Sequence, residues 1–286
     1  MQSILSDDDV RMIRDGIREF SAATETLLQF AVSNPLPPHS PAASHRDSEL
    51  NSIAFGTSTV TNDAYLAILL ATSAGADHVR AYVSLLPKSR VTVAMSTLTR
   101  GALEAFAKAG YLLEPVVSLE FIGRYLGVTL DDLTFPMKHG TFRDSEGVEI
   151  DKIAYRDRLR ELRATLEPTP KPTLRTTHQV GHLLESALGE HPDPDLNLPN
   201  IYSQLSGTAH AGATTLGMYL GPERQPTRFV YPRQLALEHV SYLFAAILRV
   251  GELGIEHFAI SGGPAERWQE SLRRSGEAMN RLREAT

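Results

Sequence analysis

The sequence predicts an all-α protein, and three observations carry that prediction. Apolar residues recur at intervals of three and four over long segments, the period of one helix face. Serine, threonine and proline stand where such segments would start and stop. No alternation of apolar and polar residues persists anywhere in the 286 residues, so no half-buried strand is expected. The expectation is an irregular bundle of about eight or nine helices. It forms a single domain over residues 1–286, within which residues 1–46 are a candidate N-terminal subdomain.

Each element follows from local chemistry. Ser6 before Asp7, Asp8 and Asp9 is a helix start, because a hydroxyl caps free N–H groups and acids favour the positive end of the dipole. Ile13, Ile17, Phe20, Leu27 and Ala31 carry that helix to Pro35, and the prolines through Pro41 form a loop that ends it. A second helix runs from Thr61 or Asn62 to about Leu86, a third from Ser89 to about Glu114, and a fourth from Ser118 to before Pro136. The segment KHGTFRDSEG is polar and has room for a short hairpin. Further helices are expected over about Glu149–Glu167 and Leu174–Leu188, the latter stopped by Gly189. Pro199 opens the next, which runs to about Gly221. PERQPTRFVYPR reads as extended, and the last two helices cover about Gln234–Ser261 and Pro264–Glu284.

Composition bounds the function. A formal charge of −6 argues against a broadly basic surface for nucleic acid or membrane. The absence of cysteine excludes disulfides, thiolate metal sites and cysteine nucleophiles. The N-terminal MQSILSDDD lacks the basic-then-apolar pattern of a secretion signal. The most apolar stretch, Ala64–Leu86, contains Asp77, His78 and Arg80 and reads as a buried helix. A cytoplasmic protein is the expectation.

Two helices carry the main candidate site. Between Asp195 and Glu223 there is no charged residue, yet His210 lies there. Tyr202, Ser206 and His210 fall at i, i+4 and i+8 on one helix face, among small residues that let neighbouring helices come close. That helix is expected to be surrounded by protein. A buried imidazole takes its acidity from its partner, so His210 is either a satisfied core residue or an acid/base group. In the third helix Arg100, Glu104 and Lys108 also run i, i+4, i+8, with Met95, Leu98, Ala102, Phe106 and Ala109 opposite. They form either a solvent stripe or a grip in which Arg100 binds an anion and Glu104 orients it. An Arg-x-x-x-Glu helix followed by a Tyr-x-x-x-Ser-x-x-x-His helix resembles uncharacterised all-helical bacterial proteins. The resemblance covers about a third of the chain, implies no function, and suggests only that the two helices face each other.

Other patterns are weaker. His178, His182 and Glu185 stand at i, i+4 and i+7, a spacing zinc or iron can use, or else a solvated polar face. Lys152, Arg156, Arg160 and Arg163 form a basic stripe suited to a phosphate backbone, but Asp157 and Glu161 share the helix. Lys138, Arg143, Arg224, Arg228 and Arg233 are loop residues that would extend it. The Arg-x(4–6)-His spacing of helical RNA-cleaving domains, met at Arg175–His182 and Arg233–His239, occurs as often as chance predicts. Glu238–His239 and Glu256–His257 are adjacent pairs that point apart, and read as structural.

The leading expectation is a small-molecule site between the helices near 100–108 and 202–210. Arg100, Tyr202 and Ser206 would bind ligand, while His210 and Glu104 would support hydrolysis or acyl-type transfer. No cofactor is implied. The alternatives are an RNA-directed or toxin-like protein and a non-catalytic regulatory or interaction module. No membrane contact is expected, nucleic acid is a secondary candidate partner, and self-association stays open.

Overall fold

The computed structural model describes residues 5–52, 54–55, 58–86, 92–134, 141–143, 149–166, 173–189, 198–209 and 232–284. The fold is all-α. Helix α1, Asp7–Ile13, continues through a π turn at Arg14–Arg18 into α2, Glu19–Ser33. The other helices are α3 (Pro41–Asp47), α4 (Val60–Leu85), α5 (Thr92–Leu113), α6 (Ser118–Thr134), α7 (Lys152–Thr165), α8 (Thr176–Leu188), α9 (Leu198–Ala209), α10 (Arg233–Phe258) and α11 (Gly263–Glu284). Two small antiparallel hairpins accompany them. Strands β1 (Ala54–Phe55) and β2 (Ser58–Thr59) pair Ala54 with Thr59, and β3 (Thr141–Arg143) and β4 (Glu149–Asp151) pair Phe142 with Ile150. No helix among the described residues is long and apolar enough to cross a membrane.

The capping chemistry read from the sequence is largely present. Ser6 accepts from the Asp9 amide and Asp9 accepts from the Ser6 amide, a reciprocal cap. Thr59, two residues before Thr61, caps α4, and Gly189 ends α8 at φ 72°. Three expectations are corrected. The proline segment after Pro35 does not stay a loop, because Ser40 caps the seven-residue α3 and Pro41 sits in its first turn. Residues 149–151 are strand β4 and not helix, and Asp151 caps α7 through the Ala154 amide. Arg233 is no loop cation but a buried residue opening α10. The hairpin expected within KHGTFRDSEG is present only in part there: β3 lies in that segment, but its partner β4 lies beyond it, at Glu149–Asp151. The segment PERQPTRFVYPR lies outside the described residues apart from Pro232 and Arg233.

One hydrophobic cluster extends from Ile13 to Leu282. Helix α5 lies inside it, against α4, α6, α8, α9 and α10. Among residues 94–114 only Thr97 is exposed. Small residues permit this crowding: a Cβ on Gly110 would stand 2.7 Å from Leu183 Cδ1 of α8, and one on Gly251 of α10 would stand 2.3 Å from the Trp268 ring of α11. Trp268 also donates its indole N–H to Thr24 Oγ1 at 2.8 Å and lies 5.5 Å from the Phe20 ring.

A buried ion pair closes the bundle. Arg233 donates through Nε and Nη2 to the two carboxylate oxygens of Asp9, at 3.1 and 2.9 Å, and through Nη2 to the Leu282 carbonyl at 3.2 Å. Asp9 and Arg233 are 4% and 8% exposed, so each charge depends on the other for solvation. Burial pushes the Asp9 carboxyl up, but the hydrogen bonds from Arg233 and Ser6 outweigh it and hold its pKa below the usual value. Asp9→Ala is expected to cost about 3–5 kcal/mol in urea unfolding, since it strands a buried guanidinium. A change under about 1 kcal/mol would show that the pair is not what joins α1 to α10.

Candidate functional site

The structure brings the two candidate helices together. Arg100 of α5 donates through Nε to Glu104 Oε1 at 2.8 Å, through Nη2 to the Tyr202 hydroxyl at 3.1 Å and through Nη1 to Ser206 Oγ at 3.4 Å. The Tyr202 hydroxyl in turn donates to Glu104 Oε1 at 2.7 Å, and the guanidinium lies 5.2 Å from the Tyr202 ring centre. Helical spacing causes this: i, i+4 pairs on α5 and α9 present matching faces. Burial and then the Glu104 carboxylate raise the Tyr202 pKa, so the phenol stays protonated and donates. His210 lies outside the described residues.

Beside this network, between α8 and α9, opens a cleft of about 930 Å3. That is ample for a small organic molecule. Helix α8 lines it with Thr177, His178, Val180, Gly181, His182 and Glu185, and α9 with Tyr202, Ser203, Ser206 and Gly207; Leu174 completes the wall. Tyr202 and Ser206 therefore face the same space as His178, His182 and Glu185, whereas Arg100 and Glu104 are not among its lining residues. Helix α9 is not enclosed on all sides as expected, because Ser203 and Gln204 are exposed. His178, His182 and Glu185 share the cleft, yet among the described residues no three histidines or carboxylates form a group that could hold a metal ion.

One residue of the site escaped the sequence reading. His182 Nε2 lies 2.6 Å from Glu114 Oε1, just beyond the last residue of α5. Burial raises the Glu114 pKa, but hydrogen bonds from Arg124 and His182 outweigh it, so the group is an ionised acceptor. Nε2 must then carry the proton, and Nδ1 of the neutral ring keeps its lone pair. Arg124 anchors the carboxylate: Nη1 donates to Glu114 Oε2 at 2.7 Å and to the Tyr111 carbonyl at 2.8 Å, with the guanidinium 4.4 Å from the Tyr111 ring centre. A guanidinium–carboxylate–imidazole line of this kind is how a base is oriented.

The basic stripe is less free than its sequence suggests. Arg156 and Arg160 both pair with Asp157, at 3.5 and 3.2 Å, and Arg163 acts on Asp131. His239 and His257 are buried, at 4% and 2% exposure, whereas their neighbours Glu238 and Glu256 are not. No protein-family model, curated protein or solved structure matches the chain.

Tyr202 should couple α9 to α5 energetically. Tyr202→Phe removes one acceptor and one donor to charged groups and is expected to cost about 1–2 kcal/mol in urea unfolding. In a double-mutant cycle with Glu104→Gln, a coupling of at least about 0.5 kcal/mol is expected, and simple additivity would contradict the network.

Proposed function

We propose that the cleft between α8 and α9 binds a small polar molecule and that His182 acts on it as a general base, in hydrolysis or acyl-type transfer. The observation that carries this reading is the convergence on one cleft of two histidines, a tyrosine and two serines, with one imidazole oriented by a carboxylate. In this reading Nδ1 of His182 takes a proton from a hydroxyl or water as it attacks a carbonyl, and returns it to the leaving group. Glu114 holds the ring and stabilises the imidazolium. Tyr202 and Ser206, fixed by Arg100 and Glu104, position the ligand from the opposite wall.

The ligand is proposed to be uncharged or cationic. Arg100 spends Nε and both Nη atoms on Glu104, Ser206 and Tyr202, and its charge is matched by Glu104. It acts as a fixed post and not as the anion grip that its spacing suggests. Among the described lining residues Glu185 supplies the one carboxylate, and no lysine or arginine is among them.

A panel of short-chain p-nitrophenyl esters tests the chemistry. Wild-type protein should hydrolyse at least one above the buffer rate, and His182→Gln should lower kcat/KM about 10²–10⁴-fold while leaving the thermal midpoint within a few degrees. Unchanged turnover in the folded variant would remove His182 from the mechanism.

A further inference from the structure

Behind the cleft lies a second cluster that this chemistry does not use. Helix α3 inserts His45 into the core, fully buried. Its ring stacks on Phe121 of α6 at 4.3 Å and lies 5.0 Å from the ring of His257 of α10. His257 donates its Nδ1–H to the Leu113 carbonyl at 2.7 Å, because a carbonyl only accepts. Its Nε2 and both ring nitrogens of His45 are buried with no hydrogen-bond partner. Buried polar atoms are nearly always paired, so such a concentration of unpaired nitrogens calls for a reason.

Among the described residues, the surroundings offer a cation ring faces and backbone carbonyls but no carboxylate partner. Helix α4 presents Tyr65, whose hydroxyl donates to the Ala42 carbonyl at 2.8 Å, and Thr61, which donates to the His45 carbonyl. Helix α6 presents the Phe121 ring, α10 presents His257 and Phe258, and the end of α5 presents the Leu113 carbonyl. The Val116 backbone approaches His45 without completing a hydrogen bond. Arg46 of α3 lies over the Tyr65 ring at 5.6 Å and adds a like charge, while Glu49 and Glu256 are exposed. Among the described residues no carboxylate forms an ion pair with either imidazole; the histidine so paired is His182.

We propose that His45 and His257 form an acid-operated latch, which holds α3 in the core while both rings are neutral and releases it when they take up protons. Two cations 5.0 Å apart in an aromatic box repel each other and lose their hydration together. Helix α3 is the element free to yield, being seven residues long and bounded by extended residues at Ser40 and Ser48. Burial lowers the His45 pKa to about 4, opposed in part by the Val116 backbone; burial and the nearness of His45 lower that of His257 to about 3. A released histidine titrates near 6.5. The released form therefore binds more protons from pH 6.5 down to about 4, and the docked form, fully favoured above pH 6.5, loses ground as pH falls through that window. Leu113 adjoins Glu114, so release would loosen the turn that orients His182; this consequence alone rests on the proposed function.

Amide hydrogen exchange on the full chain tests the latch. Between pH 7.5 and 5.0, protection factors of the α3 amides should fall roughly 25-fold for each histidine released. At pH 5.0 their opening should be insensitive to low urea, as local openings are, while α4 amides stay urea-sensitive. His45→Phe keeps the stack and cannot charge, so it should remove its share of the acid response. Should that variant fail to fold, His257→Gln, which still can donate to Leu113, serves the same purpose. Constant α3 protection, a shared urea dependence with α4, or an unaltered acid response in the folded variant would overturn the proposal.

Discussion

Almost everything in the described structure depends on the burial of α5. A helix packed against five neighbours has only a narrow, partly exposed side on which to leave its charges. Each ionic side chain on it must meet a partner from another helix. Arg100 and Glu104 meet Tyr202 and Ser206 of α9, Lys108 meets both oxygens of Asp132 of α6 at 2.8 Å, and Glu114 meets His182 of α8 and Arg124 of α6. Pairs this close to the surface contribute little each. Apolar packing, made possible by glycines such as Gly110, supplies most of the stability, and the ionic contacts select the register at which α8 and α9 dock. The cleft is the space left between these two helices once both are held to α5.

How much of this is legible in the sequence depends on how local the cause is. Helix starts and stops are local, so Ser6, Ser118, Gly189 and Pro199 mark ends that the structure places within a residue or two. Helix α3 was readable from Ser40–Pro41, a cap followed by a first-turn proline, but the density of prolines around it suggests a loop. Residues 149–151 look helical because the apolar spacing of α7 continues back through Ile150; a strand partner, Phe142, decides otherwise. Arg233 cannot be read at all, since its partner Asp9 is 224 residues away.

The candidate site divides in the same way. The meeting of Arg100 and Glu104 with Tyr202 and Ser206 follows from two i, i+4 patterns that need each other. Glu114 was hidden by its position as the end of a helix. There was a signal nonetheless: a carboxylate beside a helix C-terminus opposes the dipole and calls for a cation or donor nearby. Arg124 and His182 meet that need. The same turn also offers the Leu113 carbonyl to His257, so the cleft and the buried histidine pair sit on opposite sides of two consecutive residues.

The orientation of His182 is the claim on which the chemical reading stands, and nitrogen-15 NMR of the imidazole rings measures it directly. At pH 8 the geometry predicts the Nε2–H tautomer for His182, with a pyridine-type Nδ1 shift that Glu114→Gln perturbs. An Nδ1–H tautomer, or a ring averaging freely between the two and indifferent to Glu114, would contradict it.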